Sequence, residues 1–148
     1  MPFRFPLQAL LRFRESYERR ELLRLEIVSR ELTAAREHTA RAIRDREQSL
    51  KHLASRLAAG MTASEFQFEL ASDRTRVRRI TACQEEARKL EDLRRRQLDA
   101  YLKAQQQRKI LENLRDRQIS TYKLVQNRRE QQQLDERFLI LQHGQDSR

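Results

Sequence analysis

After Pro6 the chain has no proline, and its one glycine before the tail is Gly60. A backbone of 148 residues with so few breakers cannot make the many turns of a globule. It can make long helices. Arg, Glu, Leu, Gln and Ala dominate the sequence, and all five favour the helix. Disordered chains of similar polarity are rich in Pro, Gly and Ser, which this one is not. The sequence predicts an all-α fold: an antiparallel two-helix coiled-coil hairpin with a longer, projecting second helix.

The hinge is written locally. Gly60 suits the left-handed residue that ends a helix. Thr62 and Glu65 have the spacing of a capping box, with Met61 and Phe66 placed as its hydrophobic staple. One coiled-coil domain is expected over residues 1–148, with helix 1 over about 7–59, a turn at 60–62, helix 2 over about 63–142 and a frayed tail at 143–148. Pro6 fits the first turn of helix 1.

Helices this long need a buried stripe. In helix 1 the expected stripe is Leu7, Leu11, Glu18, Leu22, Leu25, Val28, Leu32, Ala35, Thr39, Ile43, Leu50, Leu53 and Leu57, with a heptad stutter near Thr39. In helix 2 it is Phe66, Leu70, Val77, Ile80, Ala87, Leu90, Tyr101, Ala104, Leu111, Tyr122, Val125 and Leu139. Asp73, Gln84, Gln97, Arg108 and Gln118 interrupt it, so the core is thin. Folding about Gly60 sets residue i opposite roughly residue 121−i, as in any helical hairpin. Helix 2 is then expected to run free from Arg115 onward. That overhang carries Ile119, Tyr122, Leu124 and Val125 and ends in Phe138, Leu139, Ile140 and Leu141. Four consecutive apolar residues surround a helix, so one neighbour cannot hide them all, and exposed apolar surface marks partners.

Net charge is +10, which raises nucleic acid or anionic lipid as a partner. The excess is spread evenly, however: residues 1–60 hold 13 basic and 8 acidic groups, and the remainder 19 and 14. Acids often precede bases by four residues, as in Glu26–Arg30, Glu47–Lys51 and Asp92–Arg96, a pattern of solvated helix faces. No nucleic acid is expected. No stretch approaches the roughly 20 apolar residues of a membrane span, and the N-terminus lacks the apolar core of a secretory signal, so the chain reads as cytoplasmic. His38, His52 and His143 are dispersed, Cys83 is alone, and no glycine loop could cradle a phosphate. No enzyme, metal or cofactor is expected.

Both ends of the chain resemble the flagellar FliJ family. The opening FRFPLQALLRFRESYE, from Phe3 to Glu18, looks like that family's start. ILENLRDRQISTYKLVQNRREQQQLDE, from Ile110 to Glu136, looks like its C-terminal helix. The resemblance implies a monomeric helical stalk of the flagellar type III export apparatus, in the setting of flagellum biogenesis, motility and chemotaxis. It implies insertion into a hexameric export ATPase ring, promotion of its assembly and activity, and links to a membrane export-gate protein and export chaperones. Peripheral association with the cytoplasmic face of the inner membrane would come through those partners. Within that frame the expected ring-binding residues are Arg115, Arg117, Gln118, Tyr122, Arg128, Arg129, Gln132, Gln133, Asp135, Glu136, Phe138, Leu139, Ile140 and Leu141. Met61, Phe66, Phe68 and Leu70 at the turn are the expected gate or chaperone surface. Residues 35–105 carry no distinctive family motif.

Overall fold

The structure, a computed structural model, describes residues 2–146. It contains two helices, α1 (Gln8–Ala59) and α2 (Ala63–Asp146). At 1.5 Å per residue their 52 and 84 residues correspond to about 78 and 126 Å. Residues 143–146, expected in a frayed tail, continue α2; Ser147 and Arg148 of that tail lie outside the described residues.

The hinge forms as the local sequence dictates. Gly60 has φ +103°, a conformation that costs any residue with a Cβ, and its N–H donates to Leu57 O at 3.3 Å. The capping box is reciprocal. Glu65 N donates to Thr62 Oγ1 and Thr62 N donates to Glu65 Oε2, both at 3.2 Å. Two amides at the start of α2 that no helical carbonyl can reach are thus satisfied.

Contacts divide the chain into two units. Residues 19–102 form one, and residues 2–18 with 103–146 form the other. In the first, the pairs Arg56–Glu69, Arg46–Asp73, Arg36–Glu91 and Glu21–Gln97 run in opposite directions along the two helices, so the pairing is antiparallel. The same sense holds in the second, through Glu18–Arg108, Arg14–Gln107 and the Phe3–Tyr122 ring contact.

The seam differs from the expected stripe, and the difference is systematic. With Leu11 as heptad position a, the covered residues of α1 continue as Glu18, Leu25, Leu32, Thr39, Arg46 and Leu53 at a. Position d holds Arg14, Glu21, Val28, Ala35, Ala42, Ser49 and Arg56. There is no stutter at Thr39. Ile43, Leu50 and Leu57, expected in the seam, lie beside it at position e and are exposed, as are Leu7 and Leu22. In α2 the seam includes Phe66, Asp73, Ile80, Ala87, Tyr101 and Arg108 at a, and Glu69, Arg76, Cys83, Leu90, Gln97, Ala104 and Leu111 at d. Leu70, Val77, Val125 and Leu139 are exposed there instead, and so is Gln84.

Polar residues in the seam find partners across it. Arg46 makes a bidentate contact, with Nε donating to Asp73 Oδ1 at 2.9 Å and Nη2 to Oδ2 at 3.1 Å. Glu21, only 3% exposed, accepts from the Gln97 side-chain amide, which also donates to the Glu21 carbonyl at 3.1 Å, and from Arg24 at 3.1 Å. Arg108 bridges Glu18 and Glu112. The hydrogen bond from Arg46, reinforced by its charge, holds the Asp73 carboxyl below the usual carboxylate range. A carboxyl depressed in the folded state stabilises above its unfolded pKa of about 3.9 and loses that contribution as pH falls through its folded value. Asp73→Asn should therefore be less stable than the native chain at neutral pH. That gap should close below about pH 4, in urea unfolding followed across pH.

Candidate partner-binding surfaces

Among the described residues no helix is long and apolar enough to cross a membrane, and no cluster of three or more His, Cys, Asp or Glu is placed to hold a metal. Three surface features stand out.

The first is the distal part of α2. Every residue from 127 to 145 is exposed. Phe138, Leu139, Ile140 and Leu141 stand 66%, 54%, 71% and 68% exposed, with Leu134 exposed one turn before them. Arg128, Arg129, Gln132, Gln133, Asp135 and Glu136 are exposed along one side of the same helix, and Asp135 accepts from Gln131 at 3.1 Å.

This free segment begins later than the sequence arithmetic placed it. Arg115, Gln118, Ile119 and Tyr122 are half-buried, because the segment preceding α1 covers this stretch. The Phe3 ring lies 5.6 Å from that of Tyr122, and Phe5 is buried. Two aromatic residues with an interposed arginine, held extended by Pro6, thus lengthen the paired region beyond the helix itself. Of the residues expected to bind a ring, Arg117 is exposed, whereas Arg115, Gln118 and Tyr122 are partly occupied within the chain. Arg115 Nε is buried without a hydrogen-bond acceptor, with the nearest carboxylate, Asp116, at 3.7 Å.

The second surface is the turn. Phe66 takes the seam position and is half-buried, as is Met61. Two residues on, Phe68 points about 200° away around the helix and is 71% exposed. It borders a shallow hollow with Arg56, Ser64, Glu65 and Glu69, where Arg56 pairs with Glu69 at 3.1 Å. Leu70 is exposed as well.

A third feature escaped the sequence reading. Over the middle of the first unit lies a groove of about 730 Å³, floored by Ala34, Ala35, Ala42, Ala82 and Cys83 and flanked by charged residues. Small side chains leave room between two helices, but alanines scattered through a polar sequence give no periodic signal of it.

A comparison with protein-family models matches the family described as "Flagellar FliJ protein" over residues 3–147. No curated protein and no solved structure gives a significant match. That family is an export component and not a catalytic one. With nearly its whole length matched, the chain belongs to the flagellar FliJ family and is a component of the flagellar export apparatus.

Proposed function

We propose that this chain is the stalk of the export ATPase, with the distal part of α2 inserted into the hexameric ring, promoting its assembly and activity. The observation that carries this reading is the exposure of residues 127–145 on every face. A rod inside a ring must touch several subunits at once, so contact groups should surround it and not form one stripe. Asn127, Arg128, Arg129, Glu130, Gln131, Gln132 and Gln133 offer polar side chains all round. Such groups form adaptable hydrogen bonds without fixing one orientation. Beyond them Phe138, Leu139, Ile140 and Leu141 form an apolar collar. Each could contribute roughly 1.5–3 kcal/mol on burial, before ordering costs. The turn, through Met61, Phe66, Phe68 and Leu70, is then left to engage the export-gate protein or export chaperones. The chain works as a monomer in the cytoplasm, peripheral to the inner membrane through these partners.

Charge reversal at Arg128 and Arg129 tests the polar part of the collar. Exposed ion pairs contribute about 0.2–1 kcal/mol each, so the double variant Arg128→Glu/Arg129→Glu should weaken ring binding several-fold at low salt. The deficit should shrink at high salt, where screening acts over a few ångströms. Titration of purified ATPase with both proteins at two ionic strengths measures this. A deficit that salt leaves unchanged would point to damaged packing in place of lost charge.

A further inference from the structure

The second unit carries an apolar face that the stalk reading does not use. Leu10, Phe13 and Tyr17 of α1 are exposed, as are Ile110 and Leu114 of α2. In the heptad register these are positions g, c, g, c and g, all on one flank of the seam. Antiparallel pairing sets the g flank of one helix beside the g flank of the other, and the Arg14–Gln107 hydrogen bond at 2.6 Å, from d to g, fixes this in the unit itself. Leu10 and Phe13 of α1 therefore lie along the same groove as Leu114 and Ile110 of α2. Phe13 and Tyr17 stack with centroids 6.3 Å apart, and the Arg14 guanidinium lies over the Phe13 ring at 5.8 Å.

Acids in the paired part of this unit are kept off the flank that carries the apolar face, whereas bases lie on both. Over residues 3–18 and 103–124 the acids are Glu15, Glu18, Glu112 and Asp116, all at positions a, b or e. The c, d, f and g positions of the same stretch carry Arg14, Lys103 and Arg117 and no acid. The groove thus has apolar walls and an exclusively cationic rim. A second copy would bring the same cations against it, which disfavours self-association. Rows spaced by three and four residues present the ridges that a third helix packs into. A lipid surface has no such spacing requirement.

We propose that this face binds a third helix from a partner protein, one with a heptad-spaced apolar row flanked by Asp and Glu. Phe13 and Ile110 are its anchors, and Arg14, Lys103 and Arg117 select the acidic flanks. The complex is a local three-helix bundle, independent of the distal end of α2.

Two synthetic amphipathic helical peptides, identical in their Leu/Ile row but flanked by Glu or by Lys, are the probes. Fluorescence anisotropy with the full chain at physiological salt should show the Glu-flanked peptide binding at least tenfold more tightly than the Lys-flanked one. Phe13→Ser/Ile110→Ser should reduce Glu-peptide binding at least tenfold, while Phe68→Ser should leave it unchanged. If the double variant loses helicity, the milder Leu10→Ser and Phe13→Ser single variants replace it and should each weaken binding. Equal binding to native and variant chains would reveal mere charge attraction and overturn the proposal, as would no binding of either peptide. A native dimer in sedimentation that the variant abolishes would assign the face to a second copy. Phosphatidylglycerol vesicle binding lost in the same variant would assign it to lipid. Either result overturns the proposal.

Discussion

On the proposed stalk role, a chain truncated after Asn127 should lose binding to the export ATPase and its stimulation of ATP hydrolysis, while the rest of the hairpin remains folded. Both halves of this expectation follow from burial. The deletion removes residues that are exposed through position 145, so among the described residues it uncovers no seam position and leaves every described cross-helix ion pair, of which Arg108–Glu18 lies furthest along α2, in place. Tyr122 with its Phe3 partner stays in place. Circular dichroism should therefore show unchanged helicity per remaining residue outside the deleted stretch, and an unfolding midpoint close to that of the full chain. The lost binding should be large because the polar collar and all four apolar residues at its end go together. Even a fraction of the roughly 1.5–3 kcal/mol available per buried side chain amounts to several orders of magnitude in affinity.

A large effect of a single substitution on stability is expected at Leu32. It is 2% exposed at seam position a, in a core that includes few other fully covered side chains. Replacing a buried leucine with alanine removes its transfer energy and leaves a cavity that neighbours fill only in part, at a cost of about 2–5 kcal/mol. A two-helix coil relaxes more easily than a globular core, which favours the lower half of that range. Leu50→Ala is the matched control. Leu50 is 40% exposed beside the seam, so its loss should cost roughly 1 kcal/mol or less. Chemical unfolding of the two variants should separate them clearly. Equal costs would return Leu50 to the seam, where the apolar pattern alone had put it.

That contrast shows what the sequence makes legible. Gly60, Thr62 and Glu65 act within a few residues of one another, so the hinge can be read directly, and the reciprocal hydrogen bonds appear where expected. The α1 seam from Leu25 to Ala35 is also readable, because Leu25, Val28, Leu32 and Ala35 are apolar at both repeating positions, whereas before it the exposed Leu22 stood in for the buried Glu21. Past Thr39 the pattern misleads. There the d positions are Ala42, Ser49 and Arg56, while the adjacent e positions hold Ile43, Leu50 and Leu57. Following the larger apolar residues shifts the reading by one position and creates a stutter that the helix does not have. What keeps Arg46 in the seam is Asp73, a partner on the other helix that no local pattern reveals. The onset of the free segment was hidden for a similar reason. Helix lengths alone omit the extended Phe3 and Phe5, which cover α2 past the end of α1.

The central functional claim is that the distal part of α2, and not the turn, meets the ATPase. Site-specific photocrosslinking in the full chain tests this directly, with a photoreactive side chain at Gln132 in one preparation and at Phe68 in another. Both positions are exposed, so neither label disturbs packing. With the ATPase ring assembled, crosslinks to ATPase subunits are expected from position 132 and none from position 68. Crosslinks to the ATPase from position 68 with none from position 132 would contradict the claim.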